Sequence, residues 1–516
     1  MTRVSCFHVF AIRAAFLRHT LARRTAKWFN TRSSSCFFTR GQIGETMTQL
    51  PKLTAIELIS GYRKRSFSPV EVTQAVLDRI AKLNPKLNAF VTLTPELALE
   101  QARAAEQAYR NGTAGLLAGI PISIKDLTPT MGIRTTRGAL YSADWVPDYD
   151  APFVERVYAT GAVMLGKTNT PELGWKGETT NRIFGSTHNP WKYGLTPGGS
   201  SGGAAAAVAF GLGPLAQGSD GAGSIRIPAS FSGIFGHKPS FGLVPQYPPS
   251  AVGDVSHMGP MTRTVTDAAL LMNATAGVDA RDRFSWSSGI DYLAALETPL
   301  PKLRIAYSRD LGVPIVEPEV ARLVEEAVKV FAELGHEIVE ATPPAKDPYA
   351  INGLLWAAGM AGAFKDNLSE LRDSFDPGRL AMIDWVQDKT AVDIAAANVA
   401  RNAYVDAMRL FMNDYDLLLT PTLPITAFPV GFDAPETVNG QVLKDLSWTP
   451  YTYPFNLTGQ PASTVPVGFA ANGMPIGMQI VGRFHDDVGV LRASLAYEAA
   501  RPWKDIWPDE EAFLND

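Results

Sequence analysis

The sequence predicts an α/β protein, a β-sheet with helices on both faces. Three observations carry that expectation. Short apolar runs of strand length alternate with stretches of helical periodicity along most of the chain. The segment AAAAVAFG (204–211) is built of residues small enough for a helix to press closely onto a sheet. A chain of 516 residues can bury a core of that size, as one large domain or two ordinary ones.

The elements follow in order. Thr54-Ala55-Ile56-Glu57 and Ser68-Pro69-Val70-Glu71 each fit a capping box, the second with proline at the first helical position. Val70, Val72, Ala75, Val76, Ile80 and Leu83 then recur at helical spacing. Thr94-Pro95-Glu96 opens an Ala- and Glu-rich helix that should stop near Asn111-Gly112. ISIK (122–125) and AVMLGK (162–167) are candidate strands. LRIAYS (303–308), a helix over about 317–334 and HEIVEA (336–341) form a strand–helix–strand pattern. LLLT (417–420), STVPVG (463–468) and IGMQIVG (476–482) are further strands, and the Pro/Ser-rich stretch 239–251 reads as a loop.

Composition narrows the function. The net charge of −4 gives no reason to expect a nucleic-acid partner. No run of residues is long and apolar enough for a membrane span. The first 46 residues are unlike the rest: eight Lys/Arg stand against one acid, Glu45, leaving a balance of −11 for residues 47–516. Arg-rich, acid-poor sequence imitates a transit peptide, and VSCFHVFAI makes a poor signal-peptide core. The favoured expectation is a disordered or non-native extension over 1–46, translated from an upstream start, with one domain over 47–516. Both cysteines, Cys6 and Cys36, lie in the extension, so the body offers neither a disulfide framework nor a thiol nucleophile. His188, His237, His257, His336 and His485 are scattered without metal-ligand spacing, so neither a metal nor any other cofactor is expected.

The chemistry is concentrated in TPGGSSGGAAAAVAFGLGPLAQGSDGAGSIRIPASFSGIFGHKP, residues 196–239. Two serines, Ser200 and Ser224, stand in Gly-rich backbone that can turn sharply and approach a substrate. Seventy-five residues before the first lies Lys125, in GIPISIKD. A lysine ending an apolar strand is buried there, which favours its neutral, basic form, unless Asp126 simply pairs with it. The successive N–H groups of Gly221, Ala222, Gly223 and Ser224 can converge on one developing oxyanion. Nucleophile, base and backbone donors together are what acyl transfer requires. The rival readings of Ser200 are a flexible loop, a phosphate cradle lacking the Gly-Lys-Ser/Thr of a P-loop, and a Gly-x-Ser-x-Gly elbow with Asp416 and His485 following in a permitted order.

These blocks, with GPMTRTVTDAALLMNATAG, LLLTPTLP and PFNLTGQPASTVPVGFAANGMPIGMQIVG, resemble the amidase signature family from about Leu53 to Trp503. The resemblance implies a large, mixed, twisted β-sheet sandwiched between α-helices in one domain. It implies hydrolysis of carboxamide C–N bonds by a Ser–Ser–Lys triad, in which Ser224 is the nucleophile, Ser200 a bridging serine held by a cis peptide from Gly199, and Lys125 the base. Ser201 would support the site, and Asp220 with Arg226 would brace the oxyanion loop. Three residues depart from the family block: Ala222 stands where glycine is usual, as in some relatives that open cyclic nylon-type amides, and His237 and Ser240 replace leucine and threonine. The expected partner is a small-molecule amide, anilide or carbamate, with a monomer or homodimer acting in the cytoplasm. Pocket candidates are the loop Leu127 to Tyr141, Trp175, Phe184, the span Trp356 to Trp385 and the segment Trp448 to Tyr453. Their aromatic content suggests an apolar acyl or aryl group. The alternatives are a glutamine-hydrolysing component of a tRNA-dependent amidotransferase and a Ser–His–Asp esterase using Ser200.

Overall fold

The computed structural model describes residues 49–443 and 447–516; the expectations for residues 1–46 lie outside that range. Both capping boxes form. The Glu57 N–H donates to Thr54 Oγ1 (3.1 Å) and the Thr54 N–H to Glu57 Oε2 (2.9 Å), opening α1 (Ala55–Lys64). Ser68 and Glu71 do the same at the start of α2 (Pro69–Leu87). The third helix, α3 (Pro95–Asn111), ends where Gly112 takes a left-handed φ of 71°.

Eleven strands make one sheet. In chain order they are β1 (Phe90–Leu93), β2 (Pro121–Lys125), β3 (Val163–Thr168), β4 (Leu215–Asp220), β5 (Phe235–Lys238), β6 (His257–Thr262), β7 (Arg304–Tyr307), β8 (Glu337–Glu340), β9 (Leu417–Pro421), β10 (Ala462–Phe469) and β11 (Pro475–Gly482). Across the sheet the order is β1-β3-β2-β4-β6-β5-β10-β11-β9-β7-β8. Strands β3, β2 and β4 are parallel, as are β9, β7 and β8, and the pairings between and outside these two groups are antiparallel. The sheet is therefore mixed, as the resemblance implied.

Both faces are covered, and the alternation of side chains along a strand shows it. In β9, Leu417 and Leu419 join one apolar cluster with Ile305 and Ile480, whereas Leu418 packs with Ala306, Val481, Met408 and Met412. In β4, Leu215 belongs to the first cluster and Ala216 to another, formed by α4 (Gly202–Ala209), α5 (Arg226–Ser232) and Met261. Every residue of α4 is buried. Its small side chains explain how closely it lies: a Cβ on Gly203 would stand 2.4 Å from the Asn169 backbone nitrogen and 2.6 Å from the Ala89 carbonyl oxygen. Gly203→Ala is accordingly expected to cost about 1–3 kcal/mol through forced backbone shifts, read as a lowered midpoint in urea unfolding.

Four strands escape the sequence patterns: β1, β4, β5 and β6. FVTL is short and carries no flanking cue, while LAQGSD, FGHK and HMGPMT carry glycine, proline or polar residues and lack apolar alternation. β4, β5 and β6 lie in the middle of the sheet, where both faces are buried and pairing on each side replaces alternation as the determinant. The stretch 239–251 is a loop, with a cis Tyr247–Pro248 bond.

Candidate active site

Lys125 is the last residue of β2, and Ser219 and Asp220 end β4, its parallel neighbour. The two strands deliver their side chains to the carboxyl end of the sheet, where crevices in parallel sheets lie. Ser200 and Ser201 arrive there just before α4, after a cis Gly199–Ser200 peptide bond. The Lys125 amine meets three hydroxyls: Ser200 Oγ at 2.7 Å, Ser201 Oγ at 2.9 Å and Ser219 Oγ at 3.0 Å. Asp126 is not its partner; that carboxylate is held by the N–H and hydroxyl of Thr136. Lys125 is fully buried, and burial pushes its pKa well below the usual lysine value, a fall that Asp220 only partly opposes. A neutral amine has two N–H donors and one lone pair. Three hydroxyls suit it: two accept from nitrogen and one donates to it.

Ser224 lies beside this group, its carbonyl accepting from the Ser201 N–H at 3.2 Å. The turn that carries it is shaped by Asp220, whose carboxylate accepts from the N–H groups of Gly223 (2.7 Å), Ile225 (3.1 Å) and Arg226 (3.4 Å). This corrects one expectation. The Gly223 N–H is committed to Asp220 and does not point at an oxyanion. The N–H groups of Gly221, Ala222 and Ser224 have no acceptor among the described residues. The left-handed position of the turn falls on Gly223 (φ 129°) and not on Ala222, so the alanine here carries no backbone cost.

Asp220 and Arg226 form a two-pronged ion pair, Nε–Oδ2 3.0 Å and Nη2–Oδ1 2.9 Å, with both side chains fully buried. The remaining guanidinium donors go to the Thr452 carbonyl (2.8 Å), Gln479 Oε1 (2.7 Å) and Asn456 Oδ1 (2.6 Å). Burial opposes ionisation of Asp220, but the charge and hydrogen bonds of Arg226, with Lys238 and Asn456, hold it well below the ordinary carboxylate range. Thr452 also donates to the Ala222 carbonyl at 2.7 Å. Sequence reasoning found the Asp220–Arg226 pair but none of these distant partners, which lie more than two hundred residues along the chain. Nor did it single out Ser219. Arg226→Met would leave Asp220 buried and unpaired, an expected loss of about 3–5 kcal/mol of stability, measured by denaturant unfolding.

Ser200, Ser219, Gly221 and Ser224 open into a cavity of about 1130 Å³. The loop 127–141 lines it as expected, through Leu127, Thr128, Pro129, Arg137, Leu140 and Tyr141, and Trp356 lies against Gly221. Trp356 is carried by α6 (Tyr349–Gly362). The span 356–385 reaches the cavity through Trp356, Met360, Ala363, Phe364, Asn367 and Leu371, and the remaining candidate side chains are displaced. Trp175 is packed behind the wall, Phe184 lies off the cavity and Trp385 is exposed beside Lys389. Trp448 stacks on Phe231, while the hydroxyls of Tyr451 and Tyr453 bond the Val313 carbonyl and Asp347, so this aromatic segment is core. The wall is instead completed by Trp145, Tyr149 and the loop Gln246 to Val252.

The elbow alternative does not survive the geometry. Ser200 meets Lys125; His485 lies against Trp286 and Phe484, and Asp416 pairs with Arg483. His237, one of the unusual residues, is buried between Ser463 Oγ (2.9 Å) and Asp487 Oδ1 (3.2 Å), and Ser240 donates its N–H to the same carboxylate (2.8 Å). Among the described residues no group of three His, Cys, Asp or Glu is placed to hold a metal, and no helix is long and apolar enough to cross a membrane.

The amidase family model matches residues 71–491. The chain belongs to the amidase signature family. An acylamidase of Rhodococcus erythropolis is 40% identical over 471 residues, covering 90% of this chain and 98% of that protein. A glutamyl-tRNA(Gln) amidotransferase subunit of Methylococcus capsulatus is 36% identical over 480 residues, covering 87% and 97%. The crystal structure of a bacterial aryl acylamidase of the amidase signature family superposes with a TM-score of 0.82 at 34% identity, over 87% of this chain and 96% of that one. The eleven-stranded sheet is thus the amidase signature fold, and this family member is an amidase that hydrolyses amide C–N bonds.

Proposed function

We propose that this amidase works through an acyl-enzyme on Ser224, with Ser200 and Lys125 as its proton relay. The observation that carries the reading is the buried Lys125 amine, 2.7 Å from Ser200 Oγ, whose pKa burial pushes well below the usual lysine value. As Ser224 Oγ attacks the amide carbonyl, its proton passes to Ser200 while the Ser200 proton passes to Lys125. The oxyanion is received by the N–H groups of Gly221, Ala222 and Ser224. Lys125 returns the proton through Ser200 to the amine as the C–N bond breaks. Water then attacks the Ser224 ester by the same relay in reverse order, releasing the acid. Ser201 and Ser219 fix the Lys125 amine, and the Asp220–Arg226 pair fixes the turn.

The aromatic and aliphatic wall supports acylamides and anilides with an apolar group as substrates, and carbamates, which present the same planar carbonyl. The proposed catalytic domain is 47–516, with residues 1–46 dispensable. The higher identity to an acylamidase, 40% against 36% for the amidotransferase subunit, supports a reading that needs no second type of protein. It describes a monomer or homodimer in the cytoplasm, not an amidotransferase component. The experiment is a panel of anilides, aliphatic amides, carbamates and glutamine offered to the purified protein, with fluorophosphonate labelling mapped by mass spectrometry. Anilide turnover with label on Ser224 supports the reading; label on Ser200, or glutamine as the sole substrate, overturns it.

A further inference from the structure

Arg137 lines the same cavity as Ser200 and Ser224, yet among the described residues its guanidinium has neither a hydrogen bond nor an ion pair. The contrast within the chain is sharp. Arg156, Arg226 and Arg263, also drawn in from solvent, all spend their donors on carbonyl or carboxylate oxygens. What Arg137 meets is the Trp145 ring, its guanidinium carbon 4.1 Å from the ring centroid. Such a stack covers one face of the planar group and leaves its N–H edges free.

The residue is also held firmly relative to the reaction centre. Its backbone takes a left-handed φ of 57°. Its N–H donates to the carbonyl of Asp126, the residue after Lys125, at 3.0 Å, and its own carbonyl accepts from Leu173 at 2.8 Å. Neither nearby acid occupies its donors: Asp126 attracts it from a distance but is hydrogen-bonded by Thr136, and Asp144, the other charged wall residue, forms no ion pair with it. The same cavity also carries apolar and aromatic side chains, among them Tyr141, Trp356, Met360 and Phe364. A fixed guanidinium with free edges is the shape that a carboxylate satisfies with two parallel hydrogen bonds.

We propose that the preferred substrate is an apolar or aryl amide that also bears a carboxylate, and that Arg137 is the specificity-determining residue that binds it. The proposal rests on the Ser224-centred site described above. It asks more of the substrate than the cavity's aromatic lining alone, which selects only for apolar bulk.

The test uses two matched pairs, with the carboxylate on either side of the scissile bond. On the amine side 4-acetamidobenzoate is compared with 4-acetamidoacetophenone; on the acyl side N-phenylsuccinamate is compared with its methyl-ketone isostere. Wild type is expected to favour the carboxylate in at least one pair by kcat/KM. Arg137→Met should lower that preference about ten- to a hundredfold, with Arg137→Lys between the two. Calorimetric binding of all four compounds to Ser224→Ala, with and without Arg137→Met, reads recognition apart from turnover. If wild type cleaves none of the four compounds, the proposed Ser224 chemistry fails, while the binding series still decides the role of Arg137. A wild type that favours the ketone in both pairs, or a carboxylate preference that survives Arg137→Met in both turnover and binding, overturns the proposal.

Discussion

Ser224→Ala is expected to lower amide turnover by about 10⁴-fold or more while leaving the fold intact. The expectation follows from what the hydroxyl alone supplies. Among the described residues the Ser224 side chain donates and accepts nothing that holds the turn together; that work is done by the Asp220 carboxylate, by Arg226 and by Thr452. Removing the oxygen therefore deletes the covalent route without unpinning the backbone donors. The measurement is kcat/KM on an anilide together with a urea unfolding curve. A variant that keeps a tenth of the wild-type rate, at unchanged stability, would place the nucleophile elsewhere.

Lys125→Ala is expected to be nearly as damaging, and selectively so. An amine leaves only when protonated, whereas an aryl ester releases a phenoxide with less help, so the amide should suffer more than a matched ester. The pH dependence has a defined sign. Burial depresses the Lys125 pKa, so the basic form gains population below the ordinary lysine range; activity should rise with pH as the protonated fraction falls. Folding follows the same direction. The unfolded chain's lysine titrates near 10.5 and binds a proton that the folded one gives up, so this group's contribution to stability rises from its depressed folded value toward pH 10.5. Histidine does not account for such a profile: His257, which touches the Asp220 carbonyl, is pushed well below its ordinary value by burial and then by Lys238. If replacing any one of His188, His237, His257, His336 or His485 proved as harmful as Ser224→Ala while Lys125→Ala stayed near wild type, the lysine assignment would fall.

Much of this molecule was legible before its structure. Helix starts were written in local chemistry, in the Thr54–Glu57 and Ser68–Glu71 boxes, and seven of the eleven strands in apolar runs. Central strands such as LAQGSD were not, because their place is set by neighbours on both sides and not by a pattern of their own. The same division holds at the site. Ser200, Ser224 and Lys125 stood out by glycine context and strand position, and the family resemblance assigned their roles. The residues that steady them, Thr452, Asn456 and Gln479, are ordinary in sequence and meet Arg226 only through folding. The cavity wall was the least legible part: aromatic content marked Trp448 to Tyr453, yet those rings fill core, and the loop around the cis Tyr247–Pro248 bond offered no cue that it lines the cavity.

The order of the strands divides labour in a way that bears on how such enzymes diversify. The proposed reacting groups sit at the end of β2, in the turn that follows β4 and in the segment just before α4, with α4 and α5 packed behind them. Trp356 and Met360 reach the cavity from a helix inserted between β8 and β9, at the far edge of the sheet. Changes of length or composition in that insertion leave the register of β2 against β4 untouched. A lineage built on this plan is free to exchange the substrates it accepts while inheriting its bond-breaking apparatus whole.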